Sequence, residues 1–196
     1  MKLGVVIRAI IKPFYKLFYP LKIEGLENFE KDSPFVLCAN HKSNWDVVAL
    51  YVASPKPICF MAKEELFRFK PLGWLLKKLG AFPVKRNQSD LNAIKTAVAT
   101  LKRGDVLGIF PQGTRTDDMD DDAAKAGAIV VANMAHVPIL PAAIISDYKL
   151  FHKTTVKFGK MYHFNEERKK LSNEERQALA ADLMHEIRAL WEEEQK

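Results

Sequence analysis

Cysteine is nearly absent from this chain of 196 residues: only Cys38 and Cys59 are present, and they have no metal-ligand spacing. A disulfide framework and a zinc module are therefore excluded as organising devices. Each cysteine lies in an apolar stretch, Phe35-Val36-Leu37-Cys38 and Ile58-Cys59-Phe60, and both read as buried free thiols of a reducing compartment. None of the six serines sits in a Gly-x-Ser-x-Gly turn, so a serine hydrolase has no support. Gly108 and Gly113 copy the glycine spacing of a phosphate loop, but Thr114 stands where that loop needs lysine, which argues against nucleoside triphosphates. An RNA-binding aromatic motif and a glycine-rich clamp are missing too.

Long apolar runs are scarce. Residues 126–145 carry no charge, yet Asn133, His136, Pro138 and Pro141 interrupt them, and they read as a buried helix followed by a buried strand. Near the N-terminus Arg8, Lys12 and Lys16 break the apolar stretch and no small-residue cleavage site follows, so a signal peptide is not expected. No acidic residue precedes Glu24, whereas Lys2, Arg8, Lys12, Lys16 and Lys22 are basic. Val5, Val6, Ile10, Ile11, Phe14, Leu17 and Phe18 recur at helical spacing, with Arg8, Lys12 and Lys16 on another face. Residues 1–22 thus read as an amphipathic, membrane-associating segment. A helix packed onto the domain with its lysines in water has the same pattern, and Pro13 predicts a break or kink.

What is present fits one domain over residues 1–196, long enough to bury about 70% of its unfolded surface. Net charge is +6 and pI about 9.2, so partners should be anionic: a membrane surface, a phosphorylated substrate or nucleic acid. Short apolar strands are expected at Pro34–Ala39, Ile58–Met61, Phe82–Val84, Val106–Phe110, Val137–Ile145 and Thr154–Phe158. Helices are expected at Asn44–Ala53, from Ser89 or Asp90 to about Lys102, at Ala123–Met134, and from the capping box Ser172-Asn173-Glu174-Glu175 onward. Leu66–Leu79 is a basic amphipathic stretch broken near Pro71. Alternation of this kind predicts an α/β fold: a mainly parallel central sheet with helices on both faces and an amphipathic helix at the N-terminus.

Asn40-His41-Lys42-Ser43-Asn44-Trp45-Asp46 spans the end of one apolar run and the start of a helix. A histidine with an acid five positions on can form a base held in one orientation by a carboxylate. The pair would meet with His41 on the strand-to-helix loop and Asp46 in the first helical turn, at the carboxyl edge of a strand where open α/β sheets place their sites. Chance alone places such a pair in roughly one chain in four of this composition, so the spacing is only a beginning. Phe110-Pro111-Gln112-Gly113-Thr114-Arg115 leaves a strand through a turn, and its hydroxyl and guanidinium suit phosphate oxygens. Asp117, Asp118, Asp120, Asp121 and Asp122 read as a solvated loop rather than a metal site. His136, His152, His163 and His185 have no metal spacing, and no metal is expected.

Four blocks stand in order: the His41 block, then Gly80-Ala81-Phe82-Pro83-Val84-Lys85-Arg86, then Phe110–Arg115, then Val137-Pro138-Ile139-Leu140-Pro141. Together they resemble the glycerolipid acyltransferase family that includes 1-acylglycerol-3-phosphate acyltransferases, over about Leu26 to Pro141. The resemblance implies transfer of a fatty acyl group from acyl-CoA or acyl carrier protein, as co-substrate with no further cofactor, to the sn-2 hydroxyl of lysophosphatidate. It implies His41 and Asp46 as catalytic and Arg86, Gln112, Gly113, Thr114 and Arg115 as acceptor-binding, with Lys63 a looser assignment near the reacting carbonyl. It further implies a peripheral protein on the cytoplasmic face of an anionic membrane, with no nucleic-acid partner. Another acceptor (glycerol 3-phosphate, another lysophospholipid or a lipid A precursor) fits the same blocks. A non-catalytic basic module for lipid or nucleic acid is the reading of a different class. One position departs from the family: residue 112 is Gln where Glu is usual, and exchanging a charged for a neutral hydrogen bond costs roughly tenfold in affinity.

Overall fold

The computed structural model describes residues 2–30, 32–85, 90–116, 124–164 and 170–194, with side chains from Ile7 onward and at Val6. Helix α1 (Lys2–Phe18) leads into strand β1 (Leu21–Glu24), followed by β2 (Val36–Ala39), α2 (Trp45–Ala53), β3 (Ile58–Lys63), α3 (Lys70–Lys78) and β4 (Phe82–Val84). Then come α4 (Leu91–Lys102), β5 (Val106–Ile109), α5 (Gly127–Ala135), β6 (Ile139–Ile145), β7 (Thr154–Phe158) and α6 (Asn173–Glu193).

The strands form one sheet in the order β1-β7-β6-β2-β5-β3-β4. Every pairing is parallel except β6 with β7, so the mainly parallel α/β architecture expected from the alternating pattern is what is found. Fully buried strands alternate their side chains between two cores. Leu37 and Ala39 of β2 join a cluster with Ala49, Leu50, Ile58 and Phe158 on the α1–α2 face. Val36 and Cys38 join Leu101, Ile129, Leu183 and Ile187 on the face covered by α4, α5 and α6.

Local chemistry sets the ends of the elements. Asp90 Oδ1 accepts from Ala93 N at 3.0 Å and caps α4, and the Ser172–Glu175 capping box opens α6. Pro71 belongs to the first turn of α3, where its missing N–H costs nothing, so the break expected there is a helix start. Helix α1 continues across Pro13: Arg8 donates to Ser54 O at 2.7 Å and Tyr15 is buried against the core, so packing holds both halves. One face of α1 packs on the domain through Ile11, Tyr15 and Tyr19, while Val6, Ile10, Phe14 and Leu17 stay exposed on the other. Strand β1 has no counterpart in the sequence reading. Cys38 is buried as expected, but Cys59 is only half-buried, and burial pushes its thiol up to about 11.

Strand β2 sits at the middle of the sheet between β5 and β6. The loops leaving β2 and β5 therefore emerge side by side at the carboxyl edge, the place such sheets build ligand sites. The first carries His41, and the second carries residues 110–116.

Candidate active site

His41 leaves β2 and Asp46 occupies the first turn of α2. Their side chains meet: His41 Nδ1 lies 3.0 Å from Asp46 Oδ2, and both residues are buried. The same Oδ2 accepts from Lys42 N and Ser43 N, each at 2.7 Å, so the carboxylate caps the loop it orients. Tyr148 OH donates to the other oxygen, Oδ1, at 2.5 Å. With Nδ1–H committed to Asp46, Nε2 is the nitrogen that remains for a substrate proton. Phe110 stacks on the imidazole with ring centroids 4.0 Å apart and planes 16° from parallel.

The histidine backbone is clamped by the neighbouring loop. His41 N donates to Gln112 Oε1 at 2.8 Å, and Thr116 N donates to His41 O at 2.9 Å. Asn40 replaces a backbone pairing between β2 and β6: its Nδ2 donates to Ile144 O at 2.9 Å and its Oδ1 accepts from Ile144 N at 2.7 Å. These contacts hold the imidazole in place before any substrate arrives.

A cavity of about 450 Å³ opens beside His41. Met61, Val84, Ile94, Ile109 and Val131 give it an apolar wall, while Thr114, Lys85 and Lys125 bring a hydroxyl and two ammonium groups to it. The first turn of α5, Gly127 and Ala128, also faces it, so a helix N-terminus adds to the positive field. Gly113 adopts φ +70, and a Cβ there would stand 2.9 Å from Lys125 Cδ and 3.0 Å from its Nζ. The glycine thus makes room for the lysine to lie across the turn. Asp90 is the acidic group on the wall; the backbone N–H groups of Lys85 and Ala93 hold its carboxyl below the usual range.

Of the residues singled out from sequence, His41, Gly113 and Thr114 line this cavity, and Asp46 lies directly behind the first. Gln112 is buried and faces inward to the His41 backbone. Arg115 is exposed on the loop outside the cavity wall, and Lys63 ends β3 with its Nζ 3.4 Å from Glu65 Oε1, also outside it. Arg86 and the aspartates at 117–122 lie outside the described residues. Sequence reasoning missed Lys125, Phe110 as a stacking partner, and Tyr148. None has a local signal, since Tyr148 is 102 residues from the carboxylate it touches.

Residues 20–145 match the family model described as Acyltransferase. The chain belongs to this acyltransferase family. Among relatives, it is 42% identical over 141 residues to a 1-acyl-sn-glycerol-3-phosphate acyltransferase of Bacillus subtilis (strain 168), a match covering 70% of each chain. A Streptococcus pneumoniae protein of the same description is 38% identical over 113 residues, 57% of this chain and 41% of that one. The chloroplastic relative LPAT1 of Arabidopsis thaliana is 34% identical over 143 residues, 71% of this chain and 39% of its own length. The chain therefore spans less than half the length of the last two. Among solved structures, the 1-acyl-sn-glycerophosphate (LPA) acyltransferase PlsC from Thermotoga maritima superposes with a TM-score of 0.71 at 26% identity, over 100% of this chain and 83% of that one. The acyltransferase sheet and its N-terminal helix are thus shared with a solved relative. Among the described residues, no helix is long and apolar enough to cross a membrane.

Proposed function

We propose that the chain is a lysophosphatidate acyltransferase: it moves a fatty acyl group from an acyl thioester to the sn-2 hydroxyl of 1-acylglycerol 3-phosphate, giving phosphatidate for phospholipid synthesis. The observation that carries this reading is the buried His41–Asp46 pair, with the imidazole on the wall of a cavity that is apolar on one side and cationic on the other. An acceptor with a phosphate, a free hydroxyl and an acyl chain matches that division.

In this reading Asp46 fixes the Nδ1–H tautomer, and Nε2 takes the proton of the sn-2 hydroxyl as its oxygen attacks the thioester carbonyl. The C–S bond then breaks, the proton leaves with the thiolate as a free thiol, and no acyl-enzyme forms. Thr114, Lys85, Lys125 and the N-terminus of α5 receive the phosphate, joined by Arg86 and Arg115 according to the family pattern. The donor is acyl-CoA or acyl carrier protein. The exposed apolar face of α1, with Arg8, Lys12 and Lys16 beside it, seats the protein on the cytoplasmic face of an anionic membrane. Relatives described as 1-acyl-sn-glycerol-3-phosphate acyltransferases support the choice of acceptor.

The test is mass spectrometry of products from purified protein given mixed acceptors (lysophosphatidate, glycerol 3-phosphate, other lysolipids) and mixed acyl donors. Phosphatidate should dominate, and His41→Ala should abolish it while the protein keeps its melting temperature. A different acylated product would overturn the acceptor, and an active His41→Ala variant would overturn the base.

A further inference from the structure

Asp46 has four donors, and only three come from the segment that the sequence blocks identify. The fourth, Tyr148, reaches in from the loop after β6, and its hydroxyl is the hydrogen-bond partner of Oδ1. We infer that Tyr148 is a positioning residue for the catalytic pair: its hydroxyl holds the Asp46 carboxylate in the rotamer that meets His41 and moderates the charge that the imidazole sees. The inference rests on the proposed base role of His41.

Three observations support it. Burial, then the Asp46 charge and its hydrogen bond, push the Tyr148 phenol far above its ordinary value, so it remains a donor throughout the working pH range. Its backbone sits at φ +52, a left-handed conformation that a bulky side chain rarely adopts and that persists only where surroundings enforce it. Those surroundings are present: Tyr148 N donates to Ser146 Oγ at 3.1 Å, and Ser146 Oγ in turn meets Thr154 Oγ1 of β7 at 2.9 Å. Its ring packs edge-on against Tyr19, centroids 6.2 Å apart, and Tyr19 lies 5.5 Å from Trp45 at the start of α2. An aromatic cluster just beyond α1 therefore holds the phenol over the carboxylate.

The charged and titratable groups around it are few. Asp46 faces His41, Tyr148 and, more distantly, Tyr15, while Tyr148 faces Asp46, Tyr15 and Tyr19. Lys42 meets the carboxylate through its backbone N–H. On the Tyr148 loop, Asp147 is paired with Lys149 and His152. Removing the phenol hydroxyl leaves Asp46 with less hydrogen bonding to its charge, so its attraction for imidazolium increases and the His41 pKa rises.

Tyr148→Phe keeps the ring and tests the hydroxyl. The expected result is a kcat lowered roughly tenfold with acceptor KM within about twofold, because Tyr148 does not line the cavity, and an acid limb of the pH–rate profile moved up by about half a unit. His41 titrated by NMR should move the same way, which needs no turnover. Tyr19→Phe, which removes a hydroxyl from the same cluster without touching Asp46, should leave kcat and both titrations unchanged. 3,5-Difluorotyrosine at position 148 is a stronger donor and should move the limb down, and it serves also if the Phe variant folds poorly. Unshifted titrations of His41 in both 148 variants would overturn the inference even if kcat fell, since a merely structural role lowers activity without moving the imidazole. If the wild type acylates no acceptor, the function proposed above fails, and the NMR titration still decides the role of Tyr148.

Discussion

The side-chain oxygen of Gln112 accepts a hydrogen bond from the backbone nitrogen of His41 at 2.8 Å. This relationship assigns the third sequence block a task beyond binding phosphate: it holds the base where β2 ends. Removing the acceptor in Gln112→Ala leaves a buried N–H unpaired, which costs about 1–3 kcal/mol. The expected outcome is a lowered melting temperature and a kcat that falls more than acceptor KM rises. Gln112→Glu retains an oxygen for the same N–H, so acceptor KM should stay within about threefold. A tenfold improvement in KM for Gln112→Glu would instead place this side chain on the acceptor.

Gly108 governs the other support of the base. A Cβ there would stand 2.3 Å from Phe60 Cε1 and 2.9 Å from Ile58 Cγ2. Phe60 stacks parallel to Phe110 at 6.0 Å, and Phe110 stacks on His41 at 4.0 Å. Gly108→Ala should therefore displace a three-ring column ending at the imidazole. Overpacking of this kind costs about 1–3 kcal/mol, read as a shift in chemical denaturation midpoint. Turnover should fall with it, and a variant with unchanged stability would show that the column yields freely.

The His41–Asp46 pair was legible because its geometry is local: five residues, one loop and one helical turn are enough to bring imidazole and carboxylate together. The parallel sheet was legible because buried strands are continuously apolar, as Val36-Leu37-Cys38-Ala39 is. Strand β1 was not, because Leu21-Lys22-Ile23-Glu24 is a short edge segment that becomes a strand only by pairing with β7, more than a hundred residues away. The same distance in sequence hid Tyr148. Gln112 was misjudged by proximity to a phosphate-type turn; the turn directs its side chain inward, which composition cannot reveal. The continuity of α1 across Pro13 reflects tertiary packing overriding local preference, through Arg8 and Tyr15.

Lys125 should carry much of the acceptor's phosphate recognition. Its stem lies over Gly113 and it lines the cavity with Thr114. Lys125→Met preserves most of the stem and removes the charge. A hydrogen bond to a charged group is worth about 1.5–3 kcal/mol, so acceptor KM should rise at least tenfold with kcat less affected. The dependence of KM on ionic strength should weaken in parallel, measured between low and physiological salt. An unchanged KM would mean that the phosphate sits elsewhere.

Stability at low pH should depend on Glu194. Its carboxyl receives Lys22 Nζ at 3.0 Å and Lys153 Nζ at 3.2 Å, and these partners lower it to about 2. A depressed folded value means stabilisation that is complete above the ordinary glutamate range near about 4.3 and lost as pH falls from there toward 2. Glu194→Gln should melt below the wild type at pH 7, and the two should converge in acid. Parallel melting curves at every pH would show that the contact is made equally in the unfolded chain.

The exposed face of α1 provides a test of membrane attachment that leaves the chemistry intact. Ile10, Phe14 and Leu17 are each about two-thirds exposed, a row of large apolar side chains that nothing described in the chain covers. Burying one such side chain in an apolar phase is worth about 1.5–3 kcal/mol, and each nearby lysine or arginine adds about 1 kcal/mol at an anionic leaflet. Phe14→Asp replaces the first contribution with a charge of the wrong sign. Cosedimentation with vesicles containing phosphatidylglycerol should fall at least tenfold, while turnover of a short-chain acceptor free in solution stays near wild type, because Phe14 does not line the cavity beside His41. Wild-type binding should itself weaken as salt rises, reflecting Arg8, Lys12 and Lys16. If Phe14→Asp binds vesicles as well as the parent, the protein reaches its lipid by another surface, and α1 belongs to the fold alone.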